Sequence, residues 1–348
     1  MFGVRVVLSP DQYTMWPTSN GNAYSRVFIT ARAVQNKLHL YIVKKYVTKI
    51  IGAIGTLVCI IIFLRAPSFP TPDKILVFAA LAAMAFGQAR ELLKRFIPFV
   101  ALLLVYESFR GLVPHLNTHV NFMFMPDADR FLFFGHLPTV ALQHWLWRGY
   151  VQWYDFVFYG AYTLHFVLPF ALAVVVWKLR DSQYWRYVTT YVTVSFMGFL
   201  TFLLFPAAPP WMANDRGLIE PITRVSSAVW AAFGVHDFPS VYNKISPNPV
   251  AAMPSLHAAY ATLFALFVTT LFKTRWRWLA WVYPLLIWVG TIYQGEHYAI
   301  DAIVGILFAG ISYLLAPHIL SLIGRLVVWL RKHKLLPSPK KRATVATH

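Results

Sequence analysis

Polar residues are sparse along this chain, and the intervals between them define its architecture. Apolar runs at about 47–64, 75–89, 96–113, 151–177, 187–205, 254–272, 278–294 and 299–316 reach or approach the ~20 residues that a helix needs to cross a hydrocarbon layer of ~30 Å. The pattern predicts an all-α polytopic membrane protein of about eight transmembrane helices. The second run is the shortest of the set and is closed by Gln88, Arg90 and Glu91. A full span, a half-span, or a re-entrant hairpin made with the third run all remain open for it.

Between the runs lie segments of different character. Residues 1–46 read as a cytoplasmic arm, with a helix expected from Ala31 toward Lys49 that sets Leu38, Leu40, Tyr41 and Val43 against the membrane. Two outer loops, 114–150 and 206–253, are long for a compact membrane protein, a sign of function. The first carries the aromatic stretch "NFMFMPDADRFLFFGHLPTVALQHWLW", expected at headgroup level as a cover that keeps water from the site. After Pro317, "HILSLIGRLVVWLRKHK" alternates apolar and basic faces at helical spacing. Such a segment lies on the inner surface or prolongs the last span. Residues 336–348 have the composition of a disordered tail. The expected division is an arm (1–46), two additional spans (47–98), a core (99–317) and a basic tail (318–348).

Charge sets the orientation. The chain is 58% hydrophobic and 13% charged with a formal net charge of +18. No basic polar surface of the kind that grips nucleic acid is present. Of the 31 Lys and Arg, 23 fall in the segments that face inward if the N-terminus is cytoplasmic, while ten of the thirteen acidic residues face outward. Both termini are therefore expected inside, and the basic tail near anionic headgroups. Residues 1–46 lack the short basic start and small-residue cleavage site of a signal peptide, so the first span is expected to stay as an anchor. Lone Cys59 excludes a disulfide framework.

This orientation brings three unusual segments to the outer face: "APPW" after the fifth run, "PSLH" opening the sixth and "GEHYAID" opening the eighth. His297 and Asp301, four residues apart, share one helix face, so the carboxylate can orient one ring nitrogen while the other faces a site. Pro254 and Ser255 suit a helix start whose free N–H groups would face an anion. His257 projects from that first turn, and two histidines suggest a nucleophile and a proton donor. Trp211 is expected to shape the pocket from the rigid "APPW" turn. Three readings of Glu296 stand open: stabilising the helix start, binding sugar hydroxyls, or raising the basicity of His297. With no further convergent carboxylate or thiol, neither a metal nor a cofactor is expected.

"PSLH", forty residues from His257 to His297, and then "HYAID" resemble the second and third signature motifs of the type 2 phosphatidic acid phosphatase superfamily. The wording "FPAAPPW", "AAMPSLHAAY", "GEHYAIDAIVG" and "YESFRG" is closer to its inositol phosphorylceramide synthase branch. The resemblance runs from about residue 99 to 317, six spans matching the superfamily's six-helix core. It implies that His297 attacks phosphorus, Asp301 orients it and His257 protonates the departing alcohol, with the phosphohistidine resolved by a hydroxyl or water.

The departures from the phosphatase pattern narrow the reading. Gly290 and Thr291 stand where that pattern has Ser-Arg, and "LLFPAAPPW" replaces its Lys and Arg-Pro motif. A phosphomonoester dianion needs strong cationic neutralisation, whereas a diester carries one charge. The expected activity is therefore transfer of a phospho-headgroup, phosphoinositol above others, from a phospholipid donor such as phosphatidylinositol to a lipid or glycan acceptor. A lipid phosphate phosphatase is the alternative, and a non-catalytic lipid transporter a more distant one. Arg110, Lys244 and Arg216 are the outer cations proposed to hold the phosphate, Arg110 first because it sits at a membrane boundary. Glu107, one turn earlier, is expected to pair with Arg110 or to bind a polyol. The expected setting is a bacterial plasma membrane with the site on its outer face.

Overall fold

In the computed structural model, residues 43, 45–62, 65, 72–234 and 248–336 are described. Most of the N-terminal arm, Lys244 and the end of the tail lie outside them. The chain divides into two compact units, residues 1–67 with 78–92 and residues 68–77 with 93–348.

The first unit contains α1 (Lys45–Ile62) and the later part of α2 (Pro72–Ala85). Gly52 and Gly55 let these helices touch: a Cβ on Gly52 would lie 2.5 Å from the Ala85 backbone nitrogen, and one on Gly55 2.9 Å from Leu81. Small residues at such a crossing give backbone proximity where lipid supplies no hydrophobic drive.

The second unit is helical, and among the described residues its only β features are isolated bridges. It holds α3 (Ala89–Leu116), which starts in the first unit, α4 (Phe124–Leu132), α5 (Pro138–Leu146), α6 (Trp153–Leu164), α7 (Leu168–Leu179), α8 (Tyr184–Leu204), α9 (Pro210–Asp215), α10 (Val225–Ala232), α11 (Leu256–Leu271), α12 (Val282–Tyr293) and α13 (Ala299–Lys332). At its centre, α13 packs along α8 and α11, and α12 along α6 and α11. Tyr184, Tyr187 and Tyr191 recur at helical spacing on the buried face of α8. Their hydroxyls donate to the Arg95, Pro169 and Tyr260 carbonyls at 3.0, 2.6 and 3.3 Å, so each ring fills the core without leaving a polar atom unsatisfied.

Two departures from the sequence pattern concern the spans, and one alternative that the sequence left open is resolved. The 151–177 run is not one rod: α6 and α7 meet at 57°. Pro169 has no N–H to donate and its ring crowds the carbonyl four residues back, at His165. Four helices, or five with this bent pair, have the length and apolarity of a span among the described residues. The runs at 75–89, 254–272 and 278–294 instead form helices of 14, 16 and 12 residues. Sixteen residues rise about 24 Å, short of a hydrocarbon layer, although a 3₁₀ turn at Arg275–Trp281 lengthens the last of the three. The count of eight spans is thus not reached on length alone. Finally, α13 runs unbroken for 34 residues through Pro317, so the basic tail prolongs the last span.

The two long loops, 114–150 and 206–253, are tied to one another. Asn121 bridges Ala207, and Ala207 bridges Ala251, joining the first loop to both ends of the second. Arg130 adds an ion pair to Glu220 at 2.7 Å.

Candidate active site

The start of α11 and the start of α13 meet at a glycine. A Cβ on Gly305 would fall 2.2 Å from the Ser255 carbonyl oxygen, and Ser255 N donates to the Asp301 carbonyl at 2.9 Å. The buried Ser255 hydroxyl accepts from Ala258 N at 3.3 Å. Ser255 is therefore the cap and contact point of α11, and it lies off the cavity wall.

This contact brings two imidazoles together nitrogen to nitrogen, their planes tilted by 57°. His257 Nδ1 and His297 Nε2 are 3.2 Å apart. The other nitrogen of His297 lies 3.6 Å from Asp301 Oδ2, and Asp301 Oδ2 also accepts from Tyr298 N at 2.8 Å. Asp301 is fully buried and His297 6% exposed, so a charge developing on His297 finds its counterion in a low-dielectric setting. The His257 ring is gripped between Tyr162 and His165, each with its ring centre 4.2 Å away.

These rings line a cavity of about 1400 Å³, counting the part open to solvent. Glu107, Arg110, Asn248, Ser226 and Glu296 also line it, with Leu103, Phe166, Phe170 and Phe202 supplying apolar wall. Arg110 donates to Glu107 Oε2 from Nε (3.1 Å) and Nη2 (2.9 Å). Such a mixed wall suits an amphiphile with a polar head and apolar chains.

Glu296 forms a pair that its sequence context did not reveal. Arg224 donates to its two oxygens at 2.9 and 3.2 Å, and Ser226 also donates to it. Both charged side chains are nearly sealed, at 10% and 5% exposure, and the Arg224 guanidinium lies 4.1 Å over the Trp211 ring. Trp211 therefore stacks on this pair and does not line the cavity. Arg216 is exposed over Phe122, 4.1 Å from its ring, and is also off the cavity wall. Lys244 falls outside the described residues.

The positions where the phosphatase pattern has Ser-Arg have no room for a clamp. A Cβ on Gly290 would meet Phe158 at 2.8 Å. Thr291 is fully buried; its hydroxyl donates to Ile287 O, and its carbonyl accepts from Glu296 N and His297 N.

The expectation that the loop at 114–150 covers the site is not met: none of its residues lines the cavity, whose wall on this side is built by Pro209, Ser226, Asn248, Pro249, Ala251 and Ala252. Instead the loop reaches behind the site. Asp129, fully buried, accepts from Ala299 N (2.9 Å) and Ile300 N (2.8 Å) at the start of α13. Burial pushes its carboxyl up to about 6 against the opposing pull of those two N–H donors. Gln143 donates to the Thr223 and Tyr293 carbonyls and accepts from Thr223 N.

Five residues of interest were thus not foreseen: His165, Arg224, Ser226, Asp129 and Gln143. For His165 the signal existed, an ionisable residue inside an apolar run four positions before a proline. The partners of Asp129 and Gln143 lie up to 171 residues away, beyond any local pattern.

A family model described as the PAP2 superfamily matches residues 125–315. The phosphoinositol dihydroceramide synthase of Bacteroides thetaiotaomicron is 33% identical over 184 residues, covering 50% of this chain and 57% of that protein. The inositol phosphorylceramide synthase catalytic subunit of Schizosaccharomyces pombe is 24% identical over 75% of this chain and 62% of its own length. The inositol phosphorylceramide synthase of Candida albicans is 24% identical over 60% of this chain and 45% of its own length. The chain thus spans about half to three fifths of the length of these relatives. No solved structure matches it. With more than half of its residues matched, His257, His297 and Asp301 among them, the chain belongs to the PAP2 superfamily.

Proposed function

We propose that this protein is a membrane phosphotransferase that moves phosphoinositol from a phospholipid donor, phosphatidylinositol, to the hydroxyl of a lipid acceptor of the ceramide class. The observation that carries the reading is the 3.2 Å approach of His257 Nδ1 to His297 Nε2 on the wall of an amphiphilic cavity. Once the two nitrogens part to admit a substrate from the cavity, phosphorus has His297 Nε2 as nucleophile and its departing oxygen has His257 as proton donor.

In the first step His297 Nε2 bonds to phosphorus, the phosphorus–oxygen bond to the diacylglycerol breaks, and His257 gives its proton to the departing oxygen. Asp301 balances the charge gained by the His297 ring. In the second step the acceptor hydroxyl loses its proton to His257 and bonds to phosphorus as the bond to His297 breaks. One phosphodiester replaces another, so no nucleotide is consumed.

Charge favours a diester over a monoester. Among the described residues Arg110 is the sole Lys or Arg on the cavity wall, and Glu107 already balances it. A dianion would be poorly neutralised there, while a monoanionic diester asks less of the site. The names of the three relatives, all synthases of phosphoinositol-bearing ceramides, support the donor headgroup and acceptor class. The charge distribution along the chain supports cytoplasmic termini and a cavity open to the outer face of the membrane, and the Bacteroides relative supports a bacterial plasma membrane.

The test is to incubate the purified protein in mixed micelles with radiolabelled phosphatidylinositol and a ceramide. Label moving to a new lipid with the wild type, and not with His297→Ala, is the expected result. Inorganic phosphate released from a lipid monoester, with no headgroup transfer, would overturn the proposal in favour of a phosphatase.

A further inference from the structure

The turn from Gln294 to Tyr298 carries both Glu296 and His297, yet it is a loop between helices, with Gly295 in the left-handed region at φ 74°. Loops of this kind do not hold a side chain to a fraction of an ångström unaided. Its two ends are gripped by the same outer loop. At the upstream end, Gln143 donates to Tyr293 O at 2.8 Å and to Thr223 O at 2.7 Å, and accepts from Thr223 N at 2.8 Å. At the downstream end, Asp129 takes the Ala299 and Ile300 N–H groups, one on each carboxylate oxygen.

Both gripping side chains are buried, Asp129 fully and Gln143 to 7% exposure. Neither lines the cavity, so neither is placed to touch a substrate. A charged group sealed from water is costly even when hydrogen-bonded, and its burial pushes the Asp129 carboxyl up. An apolar contact at this place would hold two helices together at less cost. What an apolar contact lacks is direction, and here three hydrogen bonds, at Tyr293 O, Ala299 N and Ile300 N, fix the backbone on both sides of one histidine, while two more tie Gln143 to Thr223.

We propose that Asp129 and Gln143 are positioning residues for His297: the first outer loop acts as a brace that fixes the two ends of the Gln294–Tyr298 turn and so aims the imidazole at phosphorus. Thr223, gripped by the same Gln143, immediately precedes Arg224, so the brace also sets the Arg224–Glu296 pair at the cavity wall. The reaction is the headgroup transfer proposed above, and the inference rests on that reading.

The test compares Asp129→Asn and Gln143→Glu with the wild type. Asp129→Asn replaces one acceptor by an amide NH2, a donor facing an N–H donor. Gln143→Glu keeps the shape but sets a carboxylate against two carbonyl oxygens. Each is assayed for transfer of labelled phosphoinositol per folded molecule across a range of donor concentrations, with thermal unfolding measured in the same micelles. The expected result is a fall in kcat of about 10- to 100-fold, as for misplacement of a reacting atom by up to an ångström, with the donor KM within about twofold. An unchanged kcat in folded variants would overturn the brace. So would parallel losses of activity and folded protein with a normal rate per folded molecule, or the failure of both variants to fold. Absence of transfer by the wild type would instead refute the assigned reaction, which separates the two failures.

Discussion

Gly305 offers a direct way to change the distance between the two histidines without touching either of them. A methyl group there would sit 2.2 Å from the Ser255 carbonyl oxygen, where ordinary contact begins at 3.4 Å. The obstacle is backbone, which cannot rotate aside, so α11 and α13 must separate by roughly 1 Å. Ser255 lies two residues before His257, and the separation lengthens the 3.2 Å approach of the imidazoles and strains the Ser255 N to Asp301 O bond. Misplacement on this scale costs about 10²-fold in rate, or about 2.7 kcal/mol of barrier, and overpacking removes a further ~1–3 kcal/mol of stability. Gly310, on the same helix, meets nothing within 4 Å and provides the control. Initial rates of headgroup transfer per folded molecule should fall about a hundredfold in Gly305→Ala and stay at the wild-type level in Gly310→Ala. A folded Gly305→Ala protein with a rate within twofold of wild type would refute the reasoning.

Three further outcomes are expected. Truncating one partner of the sealed ion pair, in Glu296→Ala, strands the Arg224 charge and should cost ~3–5 kcal/mol, measured by thermal unfolding in detergent; an unchanged transition would place the pair in water. Arg110→Gln should raise the donor KM and lower kcat together, because the cavity wall loses its cation, whereas Arg216→Gln, off that wall, should leave both unchanged in the transfer assay. The Asp129 carboxyl releases its proton near the ordinary 3.8 when unfolded and at about 6 when folded. Between these values the folded state holds the extra proton, so stability falls as pH rises. Asp129→Asn removes that slope, and unfolding at pH 4 and pH 7 should show the balance moving toward the Asn variant by up to about 3 kcal/mol.

The parts of this molecule that sequence made legible are those governed by local spacing or bulk transfer energy. The helical character, the facing of His297 and Asp301, and the meeting of "PSLH" with "HYAID" follow from periodicity, span openings and charge bias. Ser255 capping α11, with its hydroxyl on Ala258 N, was legible too, but not that it lies off the cavity wall. The hidden parts depend on partners distant in sequence. Glu296 could be given three roles because nothing near it announces Arg224, 72 residues earlier. The first outer loop looked like a lid because it is aromatic; two polar side chains within it, Asp129 and Gln143, decide its place. The bend at His165 was written in Pro169, and hydropathy averaging hid it.

The chemistry at the centre of the proposal is the bond between His297 and phosphorus. It is tested most directly with phosphatidylinositol carrying one label in phosphorus and a second in the inositol ring, mixed with purified protein, quenched early in alkali and digested. Phosphohistidine survives alkali and is lost in acid. The expected result is both labels, in equal proportion, on the peptide containing His297, chased onto a lipid when a ceramide is added, and absent from His297→Ala. Phosphorus label on the protein without inositol, or undiminished transfer in His297→Ala, would contradict it.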